Sequence, residues 1–258
     1  MQDFNYHTHT SRCGHATGTD REYIEAAIKA GYRVLGFSDH APYKELSLSW
    51  ARMDWDRLED YFESISALKK AYEGQIEIHL GLETEYYPEF LDEKKELAGK
   101  VEYLILGQHF SHPVGRGSYF GYNTDDEILE YAETVCQGLD TGLFLYLAHP
   151  DVFMSRQREF TPACEKAARM IAEKAVQTNT PLEINVHGIA KGKKPFPNGE
   201  QYSYPHRDFW KIMSQYPVKC LYGIDAHSPA QLLDVKSLHD GEREMMPLDL
   251  DFIKEPLL

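Results

Sequence analysis

Short apolar runs alternate with amphipathic stretches along most of the chain. Phe4–His9 alternates with the period of a half-buried strand. Thr19-Asp20-Arg21-Glu22 then forms a capping box, opening a predicted helix to about Ala30 that Gly31 ends. Val34–Ser38 is a buried-type strand running into Asp39-His40. An amphipathic stretch from Asp54 to Tyr72 leads to a strand over Ile76–Glu83. Pro88–Leu97 predicts a short charged helix and Tyr103–Gly107 another apolar strand. Ser111–Tyr122 is a loop rich in glycine and aromatics. A second capping box, Thr124-Asp125-Asp126-Glu127, starts a helix to about Leu139. Phe144–Ala148 predicts a strand, and Thr161-Pro162 supplies an N-cap and N1 proline for a helix to about Gln177. A strand over Leu182–Asn185 is followed by a Gly/Lys/Pro loop through Tyr204. Phe209–Gln215 is helical and Cys220–Ile224 is the last clear strand. The stretch from about Ser237 carries no assignable pattern.

About seven β-α repeats imply a parallel sheet with helices outside it. Metal-type side chains separate the two folds that fit this alternation. Seven histidines, one glutamate and one aspartate follow the apolar runs: His7, His9, His15, His40, Glu83, His109, His149, Asp225 and His227. An open sheet gathers ligands at one switch point, whereas a closed barrel gathers all its strand ends around one mouth. Donors spread over so many strands therefore predict a barrel. The length of 258 residues suits a single domain over 1–258.

Imidazole and carboxylate are the donors that borderline divalent metals prefer. His7 and His9 lie roughly 6.6 Å apart on one face of a strand, close enough to converge on one ion. Asp225 and His227 repeat that spacing on the last strand. Glu83 ends an apolar strand, where an unpaired carboxylate is costly. Glu85 shares its face and stands behind it. His15 has to reach back from a loop. His79 reads as structural, and His206 and His239 as surface residues.

Charge and cysteine content narrow the picture. A net charge of −14 argues against a basic surface for nucleic acid or anionic membrane. It still permits an anionic substrate, because bound cations reverse the field locally. Cys13, Cys136, Cys164 and Cys220 show no CxxC spacing and predict no disulfide framework. Cys13, between His9 and His15, reads as a bystander thiol. MQDFNYHTHT has no basic n-region or apolar h-region, so a cytoplasmic protein is expected. No apolar run is of bilayer length. Oligomeric state is not legible.

HTHT, SDH, GLE, GQH, AHPD and DAH, in this order over residues 7 to 227, resemble the PHP (polymerase and histidinol phosphatase) family, particularly its histidinol-phosphatase-like members. The resemblance implies a distorted (β/α)7 TIM-like barrel with a trinuclear metal centre. By that resemblance His7, His9, Glu83 and Asp225 hold the first metal. Glu83 bridges to a second held by His109 and His149, and His15, His40 and His227 hold the third. The implied cofactors are about two to three divalent ions, with Zn, Fe and Mn all compatible with these donors. The implied reaction is hydrolysis of a small phosphomonoester, L-histidinol phosphate first, through a hydroxide bridging two ions, with Asp225 orienting it or relaying its proton.

Cationic groups are also needed for phosphate oxygens. Arg156 and Arg158, after AHPD, are candidates. Family histidinol phosphatases tend to carry an arginine after the sixth strand. Here that loop reads Glu183-Ile184-Asn185-Val186-His187-Gly188-Ile189-Ala190-Lys191, so His187 or Lys191 has to serve. Phe110, Tyr119, Phe120 and Tyr122 are candidate walls for a flat leaving group, and His112 a further candidate contact. Rival readings are a nuclease-like phosphodiesterase, an amidohydrolase-type barrel cleaving C–N bonds, and a non-catalytic metal-binding module.

Overall fold

A computed structural model describes residues 2–258. In chain order the first half carries β1 (Phe4–Asn5), α1 (Asp20–Ala30), β2 (Val34–His40), α2 (Leu58–Ala71), β3 (Glu77–Thr84), α3 (Leu91–Ala98) and β4 (Tyr103–Leu106). A small hairpin, β5 (Phe110–His112) and β6 (Arg116–Ser118), precedes α4 (Asp125–Asp140) and α5 (Pro162–Thr178). Then come β7 (Leu182–Asn185), α6 (Val186–Ala190), the hairpin β8 (Lys193–Phe196) and β9 (Gly199–Tyr202), α7 (Arg207–Met213) and β10 (Lys219–Gly223). The chain ends with α8 (Pro229–Leu232), α9 (Val235–Met245) and β11 (Asp251–Phe252).

β1 to β4 pair in order, all parallel, and β10 pairs parallel with β7. Leu147 joins the two sheets by parallel bridges to Leu106 and to Leu182, and a Thr8–Ala226 bridge closes the ring. The result is the distorted α/β barrel expected from the sequence. Its irregularity has local causes. β1 is short because the Asn5 side chain replaces ladder bonds, donating to His7 O and Thr8 Oγ1 and accepting from Ile224 N. Below the Thr8–Ala226 bridge, β11 pairs with β10 through Lys219–Asp251 and Cys220–Phe252. The unassigned C-terminal stretch thus forms a helix and a strand that covers the base of the barrel. Both loops read from the sequence, 111–122 and 186–204, contain hairpins.

Phe4, Tyr6, Tyr103, Ile105, Tyr146 and Leu221 fill the barrel interior. Tyr103 is its pivot, its hydroxyl donating to Tyr6 O at 2.7 Å and Phe37 O at 3.0 Å. A Cβ at Gly81 would lie 2.4 Å from its ring. This aromatic plug lies beneath the C-terminal rim, where the donor side chains stand. Outside the barrel, α4 and α5 bury Ile128, Val135, Ile171 and an alanine stripe of Ala167, Ala168 and Ala172. Both capping boxes form as read. Among the described residues no helix is long and apolar enough to cross a membrane.

Candidate metal centre and cavity

All nine donors meet on the rim above the plug. His7 Nδ1 donates to Glu183 Oε2 at 2.8 Å, which turns Nε2 inward. Asn185 Nδ2 steadies Glu183 at 2.7 Å and reaches Asp225 Oδ2 at 3.2 Å. Glu83 lies at the centre. Its Oε1 faces His149 Nε2 at 2.9 Å, His109 Nε2 at 3.3 Å and His7 Nε2 at 3.5 Å. Its Oε2 faces His40 Nδ1 at 2.9 Å and His9 Nε2 at 3.6 Å. Asp225 Oδ1 lies 3.1 Å from His9 Nε2 and 3.5 Å from His7 Nε2.

The third group is His15, His40 and His227. His15 Nδ1 donates to Cys13 O and His227 Nδ1 to Asp225 O, both at 3.0 Å. Each Nε2 is then left with its lone pair, and the two Nε2 atoms face each other at 3.1 Å. Two acceptors so placed repel unless something positive lies between them. Elsewhere in the cluster His7 Nε2, both ring nitrogens of His9, and Glu83 Oε2 are buried without a hydrogen-bond partner. Buried polar atoms are rarely left unpaired, so this donor set fits divalent cations. His149 and Asp225 adopt positive φ, 31° and 54°. Non-glycine residues seldom do so, and such strain concentrates at functional sites.

One glycine is indispensable to this arrangement. A Cβ on Gly107 would sit 1.8 Å from Glu83 Oε1. Gly107→Ala is therefore expected to displace the central carboxylate and lower both metal content and turnover about 10- to 100-fold, the range seen when a metal ligand loses its orientation. Metal analysis beside steady-state rates checks it; unchanged values in both would show that Glu83 does not need its observed position.

Burial and mutual charge divide the histidines into two sets. Burial, reinforced by His227, pushes His9 down to about 3, and burial with His9 does the same to His40. Burial also acts against the charged form of His109, but Glu83 and Glu85 outweigh it and raise it to about 10. His7 is raised well above its usual value because Glu183, Asp225 and Glu83 overcome its burial. Glu83 and Asp225 stay ionised: burial opposes the charge, and the surrounding imidazoles hold both well below the carboxylate range, His109 and His7 foremost for Glu83 and His7 and His227 for Asp225.

A cavity of about 510 Å³ opens over the cluster. Its walls include Trp50, Phe110, Phe120, His187, Lys191 and Tyr204, with His15, His40, His109, Asp225 and His227 toward the donors. Phe120 stacks on His109 at 5.7 Å and 8°. Lys191 Nζ donates to Tyr204 Oη, and burial lowers its pKa. Burial pushes His187 down to about 4. A loop over 41–54 covers one side and is tied down at Glu85. Arg52 Nη2 donates to Glu85 Oε1 at 2.9 Å and Tyr43 Oη to Oε2 at 3.3 Å, while His109 Nδ1 lies 3.4 Å from Oε1. Arg52 Nη1 also holds Pro113 O at 2.7 Å.

Of the substrate candidates, His187 and Lys191 reach the cavity wall, but Arg156 and Arg158 do not. Val152–Arg156 forms a 3-10 turn that buries Val152, Phe153 and Met154 and leaves both arginines exposed. Tyr119 packs under the loop against Tyr131, Tyr122 is exposed, and exposed His112 is not on the wall. His206 is not at the surface: it is fully buried, stacked on Phe160 and edge-on to Phe196. His239 is exposed, and His79 is structural, bonded through Nδ1 to Glu102 at 2.8 Å. All four cysteines are free, and Cys13 is buried with its Sγ 3.9 Å from His15 Nε2.

Sequence reasoning missed Glu183, Arg52 and Trp50. Glu183 was within reach, since it is a carboxylate inside the apolar run Leu182–Asn185, the argument that singled out Glu83. The others lie in loops or act through backbone contacts that no periodicity reports.

The PHP domain family profile matches residues 5–187. A probable histidinol-phosphatase of Deinococcus radiodurans is 28% identical over 240 residues, covering 88% of this chain and 86% of its own. The histidinol-phosphatase of Bacillus subtilis is 40% identical over 99 residues, 36% of this chain and 37% of its own. Among solved structures, the histidinol phosphate phosphatase of Lactococcus lactis, complexed with zinc, L-histidinol and phosphate, superposes with a TM-score of 0.76 at 17% identity, covering 98% of this chain and 95% of that one. The putative histidinol phosphatase of Listeria monocytogenes gives 0.75 at 21% identity, covering 92% of this chain and 99% of that one. At such identities the structures establish the fold.

Proposed function

Because the chain belongs to the PHP domain family, we propose that it is a metal-dependent phosphomonoesterase that hydrolyses L-histidinol phosphate to L-histidinol and phosphate. The observation that carries this reading is the nine-donor cluster at the floor of a cavity of about 510 Å³, a size suited to a small ester. The names of the Deinococcus and Bacillus relatives support the substrate. The zinc, histidinol and phosphate held by the Lactococcus protein support both ligand classes.

His7, His9, Glu83 and Asp225 hold one ion in this reading, Glu83, His109 and His149 a second, and His15, His40 and His227 a third. Bound divalent ions supply Lewis-acid stabilisation of phosphoryl oxygens and lower the pKa of water. The remaining work falls to the chain. Asp225, ionised beside His7 and His9, orients the attacking water and accepts its proton. Lys191 and His187 face the phosphate oxygens, taking the place of Arg156 and Arg158. Phe110, Phe120 and Trp50 give the flat leaving group an apolar wall and limit water around it.

A substrate panel with added Mn²⁺ or Zn²⁺ tests the reading. Histidinol phosphate should turn over far faster than other monoesters and than bis(p-nitrophenyl) phosphate. Preference for the diester or for single-stranded DNA would favour a phosphodiesterase, and full metal loading without hydrolysis a binding module. Lys191→Met should raise KM about tenfold with kcat little changed, the signature of binding shared by ground and transition states.

A further inference from the structure

One hydrogen-bond chain on the cavity wall has only one consistent assignment. Gln231 Oε1 lies 2.5 Å from His227 N and 3.0 Å from Ser228 N. Both are backbone N–H groups, so this atom must be the acceptor oxygen of the amide. The other amide atom, the donor Nε2, lies 3.1 Å from His187 Nδ1. An NH₂ group can bond that nitrogen only if Nδ1 carries a lone pair. The ring is then neutral, and its single proton has to sit on Nε2. Among the described residues Nε2 has no protein partner, and His187 lines the cavity.

We propose that Gln231 is a positioning residue that fixes His187 in its Nε2–H tautomer, so that His187 presents a neutral hydrogen-bond donor to an oxygen of the substrate's phosphoryl group. The assignment rests on the phosphatase reading for the identity of the acceptor, not for the tautomer. It gives α8 a function: the capping box that starts this helix uses the same glutamine that orients the imidazole. Since Gln231 also holds the backbone N–H of His227, one side chain aligns a metal-type donor and a substrate donor.

The test is a ¹⁵N–¹H correlation spectrum of the histidine rings in zinc-loaded protein, with His187→Asn to assign the signal. Wild type should show a protonated Nε2 and an unprotonated Nδ1. In Gln231→Glu the carboxylate still accepts from the two backbone groups but offers Nδ1 an acceptor, so the two nitrogens should exchange character. Inhibition by inorganic phosphate should weaken about tenfold in Gln231→Glu and in His187→Leu. His187→Asn, which keeps an N–H donor, should recover much of it. A wild-type His187 protonated on Nδ1 overturns the proposal, and so does an unchanged phosphate affinity in both Gln231→Glu and His187→Leu. Should Gln231→Glu fail to fold, the wild-type spectrum and the His187 pair decide alone. Wild type with the expected tautomer but neither phosphate binding nor turnover refutes the phosphatase reading and His187's role in it. Normal turnover with Nδ1–H refutes the tautomer assignment alone.

Discussion

Asp225→Asn is expected to lower kcat about 10³-fold while the fold survives. Asparagine is isosteric and its Oδ1 can still face His9 and His7, now at 3.1 and 3.5 Å from the carboxylate. What disappears is a buried charge that the neighbouring imidazoles keep ionised despite desolvation. With it goes the proposed acceptor for the attacking water's proton, an effect of roughly 10²–10⁴-fold by itself, and one anionic donor to the cluster. Removing a charge that is buried should not unfold the chain, so circular dichroism and the melting midpoint should stay near wild type. Retention of more than a tenth of wild-type kcat would remove Asp225 from the reaction.

The second large effect is chelation. Stripping the ions should abolish hydrolysis and lower Tm by about 10 °C. A ligand present at about 1,000 times its Kd stabilises by about 4 kcal/mol, and in a chain of this size each kcal/mol moves Tm about 2–4 °C. The pH dependence has a definite sign. His109, raised to about 10 without metal, is protonated at neutral pH and must release that proton to coordinate. Apparent metal affinity should therefore rise with pH, up to about tenfold per unit for each proton released, and level off near 10. His9 and His40, pushed down to about 3, are already neutral and add nothing to this slope. Zinc added to chelator-stripped protein in weak buffer with a pH indicator should release at least one proton per chain. Release of none, or affinity that falls as pH rises, would contradict the charge distribution described for the cluster.

Much of the site was legible because its donors directly follow the apolar runs. In a parallel barrel every strand end points to the same mouth, so the positions of His7, His40, Glu83, His109 and Asp225 along the chain already place them together. His15, a loop residue two positions after Cys13, follows no period, and its grouping with His40 and His227 came through the resemblance. The substrate side was less legible. Arg156 and Arg158 follow a strand end as Lys191 does, yet the turn at Val152–Arg156 buries three apolar residues and sends both arginines to solvent. His206 departs from the surface position expected of a lone histidine because Phe160 and Phe196 enclose it.

By itself the chain determined the alternation of strand and helix, both capping boxes, the choice of barrel over open sheet and the set of metal-type donors. These are consequences of local periodicity and of side-chain chemistry at strand ends. Tertiary structure alone decided the closure through Thr8–Ala226, the covering of the barrel base by β11, and which cations face the cavity. It also decided the contacts that orient the donors, Glu183 on His7, Arg52 on Glu85 and Gln231 on His187. Each depends on groups distant in sequence meeting within about 3 Å, a distance set by packing and backbone path that no window along the chain contains.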